Sequence, residues 1–144
     1  MLAELSIKQF AIIDELNIPF NRGMTVLTGE TGAGKSILLD AIGLLVGGRG
    51  SSEFVRYGQD KAEIEGMFMV ESDHPVIEAA EQYGIEIEDG TVILRRDLHS
   101  SGKSVCRVNG KMMPLSTLRE FGRLLVDIHG QHEHQHLMDS EFHL

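Results

Sequence analysis

Gly29-Glu30-Thr31-Gly32-Ala33-Gly34-Lys35-Ser36 satisfies the pattern G-x-x-x-x-G-K-[ST] at every position. The pattern has meaning only in the right setting, so its flanks decide. Upstream, Met24 to Thr28 (MTVLT) is a short apolar, β-branched run of the kind that forms a buried strand. Downstream, Ser36 to Val46 places Ile37, Leu38, Ala41, Ile42 and Leu45 at helical spacing, and Gly47-Gly48 ends that helix. Strand, glycine loop and a helix starting at Lys35 or Ser36 make a phosphate-binding loop of the Walker A type. Glycines at 29, 32 and 34 reach backbone angles closed to other residues, so successive N–H groups from Gly29 through Ile37 converge on phosphate oxygens. The helix N-terminus adds roughly half a positive charge at the same point. Lys35 reaches the β- and γ-phosphates, and the Ser36 hydroxyl ligates Mg²⁺. Asp40, one turn after Ser36, reads as a supporting or packing residue rather than a ligand. The predicted ligand is a nucleoside triphosphate with Mg²⁺.

Around this unit the chain is rich in strands. Leu2 to Phe10 alternates, with Leu5, Ile7 and Gln9 on one side, and Ile12 to Phe20 reads as a second strand. Lys61 to Val70 alternates through Ala62, Ile64, Gly66 and Phe68. His74 to Tyr83 reads as a short helix with Asp73 as N-cap, Pro75 in its first turn and Gly84 past its end. Thr91 to Asp97 and Val105 to Asn109 are two further strands joined by the polar stretch His99 to Lys103, and Asn109-Gly110 signals another tight turn. Leu115 to Leu124 is an amphipathic helix after Pro114, and Leu125 to Ile128 (LVDI) reads as a short buried strand. The fold class is α/β with an antiparallel β insertion.

Composition narrows the class. The chain has 144 residues, is 42% hydrophobic and carries 13 basic and 22 acidic residues. That suits one folded domain and excludes wholesale disorder. The net charge of −9 is confined to one segment: Glu53 to Asp89 holds eleven acids against Arg56 and Lys61, and the remainder is neutral. The acidity therefore does not veto nucleic-acid binding; it marks a face to avoid. A single cysteine, Cys106, makes no internal disulfide, reads as core and fits a reducing compartment. No signal peptide and no apolar run of membrane-spanning length is visible, so a cytoplasmic location without membrane partners is expected.

Two strands before the phosphate loop set this chain apart from nucleotide kinases and GTPases, whose loop strand usually comes first. The string Leu5-Ser-Ile7-Lys-Gln-Phe10-Ala-Ile, followed by Gly23-Met-Thr-Val-Leu-Thr-Gly29, resembles the start of SMC-like ABC ATPases. Within them the resemblance is to the RecN family of DNA double-strand-break repair proteins. It extends through Ile37-Leu-Leu-Asp-Ala-Ile42, Gly47-Gly-Arg-Gly50, Val55-Arg-Tyr-Gly58, the Lys61-Ala-Glu-Ile-Glu65 strand and Asp127-Ile-His-Gly-Gln-His-Glu-His134. It implies a P-loop ATPase fold of the ABC/SMC head type, with residues 1–144 as its N-terminal lobe. It further implies ATP and Mg²⁺ as cofactors, and DNA ends and a second head lobe or homodimer as partners. A bacterial cytoplasmic, nucleoid-associated location and a role in recombination also follow from it. Gln131 stands at the Q-loop position, where the glutamine helps hold Mg²⁺ and the attacking water. Arg49 matches an arginine that lies close to the phosphates and the DNA path. The residue after Phe10, often basic in related heads and near the adenine, is Ala11 here, with Lys8 as the alternative. An LSGG signature and a Walker B strand ending in Asp-Glu are absent, since no glutamate follows Asp127. In the resembled family both lie beyond a coiled coil, so the 144 residues are expected to bind nucleotide without hydrolysing it alone.

Two other readings stay open: an isolated nucleotide-binding or dimerisation module, and a P-loop small-molecule kinase. The kinase predicts an arginine-rich lid and an acceptor pocket, and neither follows the loop. His129, His132, His134, His136 and His143 invite a metal reading, but with no cysteine nearby a solvated or nucleotide-facing segment suits them better. Arg95, Arg96, Lys103, Arg107 and Lys111 gather on the late strands, with Arg95 and Arg107 on one side with Asn109. They form either a ribbon for DNA phosphates or an ordinary solvated sheet face.

Overall fold

Alternation of apolar and polar residues along the strands generates a sheet with one dry face and one wet face. The structure, a computed structural model, describes residues 1–20 and 32–127, with 32–35 and 127 described by backbone alone. Its elements are β1 (Leu2–Phe10), β2 (Ile13–Pro19), α1 (Gly32–Leu45), β3 (Lys61–Met69), α2 (Pro75–Gln82), β4 (Thr91–His99), β5 (Ser104–Val108), β6 (Lys111–Met113) and α3 (Leu115–Asp127). The strands form one antiparallel sheet in the order β2-β1-β3-β4-β5-β6. The predicted strand Met24–Thr28 lies outside the described residues.

Register places Leu5 opposite Gly66 and Ile7 opposite Ile64, while Gly66 in turn faces Leu94. These residues, with Ala62, Phe68, Val92, Leu98, Cys106 and Val108, form the dry face that the helices cover. Helix α3 contributes Leu118, Phe121 and Leu125, spaced three and four apart and all buried. Each fully buried Leu, Ile or Phe contributes about 1.5–3 kcal/mol, so this single face supplies most of the driving force.

Two glycines set how closely the layers approach. A Cβ on Gly66 would stand 2.4 Å from Leu45 Cδ2, so α1 lies directly on β3 there. On Gly122 it would stand 2.6 Å from the Val46 carbonyl oxygen, so α3 crosses the end of α1 backbone to backbone.

Three sequence expectations are corrected. Helix α1 starts at Gly32 rather than at Lys35 or Ser36. The N-cap of α2 is His74 rather than Asp73: its Nδ1 accepts a hydrogen bond from Val76 N at 3.0 Å. Pro75 at the first helical position holds the residue before it extended, which puts His74 at the cap. Leu125 to Asp127 are the last turn of α3 rather than a strand, because Leu125 continues the helical stripe of Leu118 and Phe121. The expected Asn109-Gly110 turn is present, with φ of 49° and 83°, and it leads into β6, a strand the sequence had not suggested.

Gln9 and Ala11 take φ of 54° and 53° around the end of β1. The strand end thereby turns Phe10, rather than Gln9, fully into the core, where its ring stacks on Phe54 at 5.2 Å.

Gly122→Ala gains about 1 kcal/mol of helix propensity yet is expected to destabilise the fold by about 1–3 kcal/mol, because both backbones at the contact are fixed. Urea unfolding checks the sign. Burial lowers the pKa of His74 below its ordinary value of 6.5, as does a neighbouring charge, while Asp73 opposes them. The unfolded chain therefore takes up this proton first, and the cap's stabilisation, full above pH 6.5, is lost as pH falls below it. His74→Asn keeps a capping oxygen without titrating, so its stability should fall less steeply with acid than that of the parent. Parallel pH profiles would refute this.

Candidate functional site

Helix α1 grows directly out of the glycine motif: Gly32, Ala33, Gly34 and Lys35 are its first turn. The first four N–H groups of a helix have no partner within it, so these four residues present theirs at its positive end. Ser36 is exposed, as is Asp40 one turn later. Ile37 is half-buried against the core and Leu38 and Ala41 are buried, which fixes the rotation of the helix and keeps Ser36 at the surface. Gly29, Glu30, Thr31, Gln131 and the five late histidines lie outside the described residues.

The other end of α1 is tied down twice. Gly47, at φ 104°, and Gly48 close the helix with bonds from Gly48 N to Gly43 O at 2.9 Å and from Gly47 N to Leu44 O at 3.1 Å. Arg96 of β4, only 2% exposed, then donates Nη1 to the carbonyls of Leu44 and Gly48 and Nε to Ser104 Oγ. Arg119 of α3 donates Nε to Gly47 O at 3.2 Å. Burial pulls the Arg96 pKa down, the Cys106 thiol beside it opposes that, and Arg119 adds to it. The guanidinium remains charged, and the negative end of the helix dipole compensates it where no carboxylate does.

Arg49 follows this closure and is exposed. It follows the last turn of a 14-residue helix and lines a groove with Leu39, Asp40 and Gly43, which begin one turn after Ser36. Lys8 is exposed on the wet face, between Glu15 of β2 and Glu63 of β3.

The late arginines divide. Arg95 and Arg107 do oppose each other on the wet face. Arg95 binds Glu63, Glu65 at 3.2 Å and Asp97 at 3.0 Å; Asp97 also takes Arg107 at 3.3 Å and Lys61 at 3.7 Å. Burial lowers the Arg95 pKa, but the carboxylates of Asp97, Glu63 and Glu65 outweigh it and hold the group above its ordinary value. Three bases and three acids cancel, which favours the solvated-face reading. Asn109 does not join them: it accepts from Ile93 N at 2.6 Å and donates to Glu86 O at 2.8 Å. Lys103 is exposed in the hairpin, and Lys111 donates to Tyr83 O at 3.1 Å. Cys106 is buried as expected, and burial pushes its thiol pKa up.

Sequence reasoning missed the work of Arg96, Arg119 and Arg56. Arg56 donates Nη1 to Ile12 O at 2.6 Å and its backbone N–H to Gln9 O at 2.8 Å, pinning the β1–β2 turn. A signal existed for Arg96 alone: it occupies an inward position in the alternation Val92, Leu94, Arg96, Leu98.

Residues 4–132 match the family model described as AAA domain. The chain belongs to the AAA domain family. The AAA domain described here is similar to DNA repair protein RecN of Bacillus subtilis, at 66% identity over all 144 residues and 25% of that protein. It is 44% identical to RecN of Vibrio cholerae, again over the full chain and 26% of that protein. It thus spans about a quarter of the length of the curated relatives it matches. Among solved structures, an SMC ATPase studied for ATP-driven dimerization and DNA stimulated activation aligns with TM-score 0.66 and 26% identity, over 86% of this chain and 78% of that one. An Smc head bound to the C-winged helix domain of ScpA aligns with TM-score 0.63 at 22% identity, covering 87% and 40%. The fold is therefore that of the ABC/SMC-type P-loop ATPases. No helix among the described residues is long and apolar enough to cross a membrane.

Arg96→Met keeps the bulk and removes the donors, leaving the half-buried Gly48 carbonyl without its side-chain partner and Leu44 O with the Gly47 N–H alone. A loss of about 2 kcal/mol in unfolding free energy is expected by denaturant titration.

Proposed function

We propose that this AAA domain is the N-terminal lobe, residues 1–144, of the ATPase head of a RecN-like protein that acts in DNA double-strand-break repair and recombination in the bacterial cytoplasm. The observation that carries it is a helix that begins inside GETGAGKS, with Ser36 exposed behind its first turn. The 66% identity to RecN over the full chain supports the same reading.

Those N–H groups and the Ser36 hydroxyl fit a Mg²⁺-bound triphosphate. Gly29, Glu30, Thr31, Gly32, Ala33, Gly34 and Ile37 supply the backbone of the cradle. Lys35 stabilises charge on the transferring phosphoryl group, and Ser36 and Gln131 hold Mg²⁺. When bound, Mg²⁺ offsets the negative charge of the β- and γ-phosphates. Arg49, after the closing turn of α1, belongs in this reading close to the phosphates and to the DNA path. A second lobe supplies the signature and the glutamate that polarises water, so two heads enclose two nucleotides and their engagement controls how DNA ends are held.

In the full-length protein, Lys35→Ala should abolish ATP hydrolysis; intact turnover would overturn the site. The 144-residue chain should bind Mg-ATP but turn it over only when a C-terminal lobe is supplied. Hydrolysis by the chain alone would refute the division of labour.

A further inference from the structure

The arginines of the two faces are in opposite states. On the wet face Arg95 and Arg107 are held by carboxylates. On the helix side Arg49, Arg119 and Arg123 are exposed, and none makes an ion pair among the described residues. Arg49 and Arg119 line one groove that runs along α1 from Leu39 and Asp40 to Gly47. Arg119 spends only Nε, on Gly47 O. Arg123 stands one turn further along α3, about 5–6 Å away.

We propose that Arg49, Arg119 and Arg123 form a docking track for the phosphodiester backbone of nucleic acid, bound without regard to base sequence. This rests on the nucleic-acid part of the function proposed above and names its surface. Each guanidinium carries a planar fork that matches phosphate oxygens two at a time. The chain as a whole carries −9, so a groove in which Arg49 and Arg119 face Asp40 as the acid, with Arg123 beside it and none of the three arginines ion-paired among the described residues, is a local reversal of sign. Phe54, the aromatic residue in the groove, is stacked on Phe10, which leaves no ring for bases and restricts the contact to the backbone.

The test is anisotropy of a labelled duplex of about 20 base pairs with the 144-residue chain, titrated between about 50 and 200 mM salt. Arg119→Gln and Arg123→Gln should each weaken binding several-fold at low salt and reduce the slope of log K against log salt by about 1. Lys61→Gln, which removes the same charge from the wet face, should leave both unchanged. Arg123 makes no side-chain hydrogen bond in the described structure, so its result does not depend on a folding defect. Binding that is undiminished in the arginine variants, or equally lost in Lys61→Gln, overturns the track and leaves the nucleic-acid reading standing. No binding by the parent chain at low salt overturns both. Self-association in sedimentation that Arg123→Gln abolishes, with no change in the duplex slope, assigns the surface to the acidic face of a second copy and also overturns the proposal. Mg-ATP binding retained by the variants separates all of these from failure of the phosphate loop.

Discussion

One buried cation holds the architecture together. Arg96 projects from the dry face of the central strand β4 into the closing turn of α1, where it takes the carbonyls of Leu44 and Gly48. Burying a guanidinium with no carboxylate is costly, and the site meets that cost with the Leu44 and Gly48 carbonyls and the negative end of a helix dipole. The result fixes the helix that leads out of the glycine motif against the sheet. Arg119 repeats the device from α3 through Gly47, so sheet, phosphate-loop helix and third helix meet at one point. The backbone contact of Gly122 with Val46 makes that meeting tight.

The sheet separates chemistry by face. Inward positions of β1, β3, β4 and β5 are apolar apart from Arg96 and Ser104, and they carry the core. Outward positions carry Lys61, Glu63, Glu65, Arg95, Asp97 and Arg107, whose charges cancel across strands. Half-exposed pairs of this kind add little stability singly. Their consequence is electrostatic: these six charges cancel one another, so the middle of the wet face presents no net charge. The eleven acids of Glu53 to Asp89 accordingly do not act as one negative field, since Glu63 and Glu65 are spent on Arg95.

Much of this was legible in advance, for identifiable reasons. Alternation revealed β1, β3 and the body of β4 because one face of each is buried. Gly47-Gly48 marked the end of α1 because a left-handed residue there suits glycine. The failures share a cause as well. LVDI is equally compatible with a strand and with the last turn of a helix, and packing of Leu125 beside Leu118 and Phe121 decided for the helix. Asp73 and His74 are both capping residues, and the restriction Pro75 imposes on its predecessor chose His74. The resemblance to RecN was carried by local strings, which is why the comparisons uphold it at 66% identity.

By itself the sequence determined the phosphate-loop motif, the family and the alternating strands, because each depends on neighbours along the chain. It also determined that Arg95 and Arg107 share a side. Only the tertiary structure decided what those arginines do, since their partners Glu63, Glu65 and Asp97 come from register across strands. The same holds for Arg96, Arg119 and Arg49: alike in sequence, they become a buried clamp, a half-committed cap and an unpaired surface cation. Whether a long cationic side chain is structural or available to a ligand depends on which acceptors the fold brings within reach, and the chain order does not contain those distances.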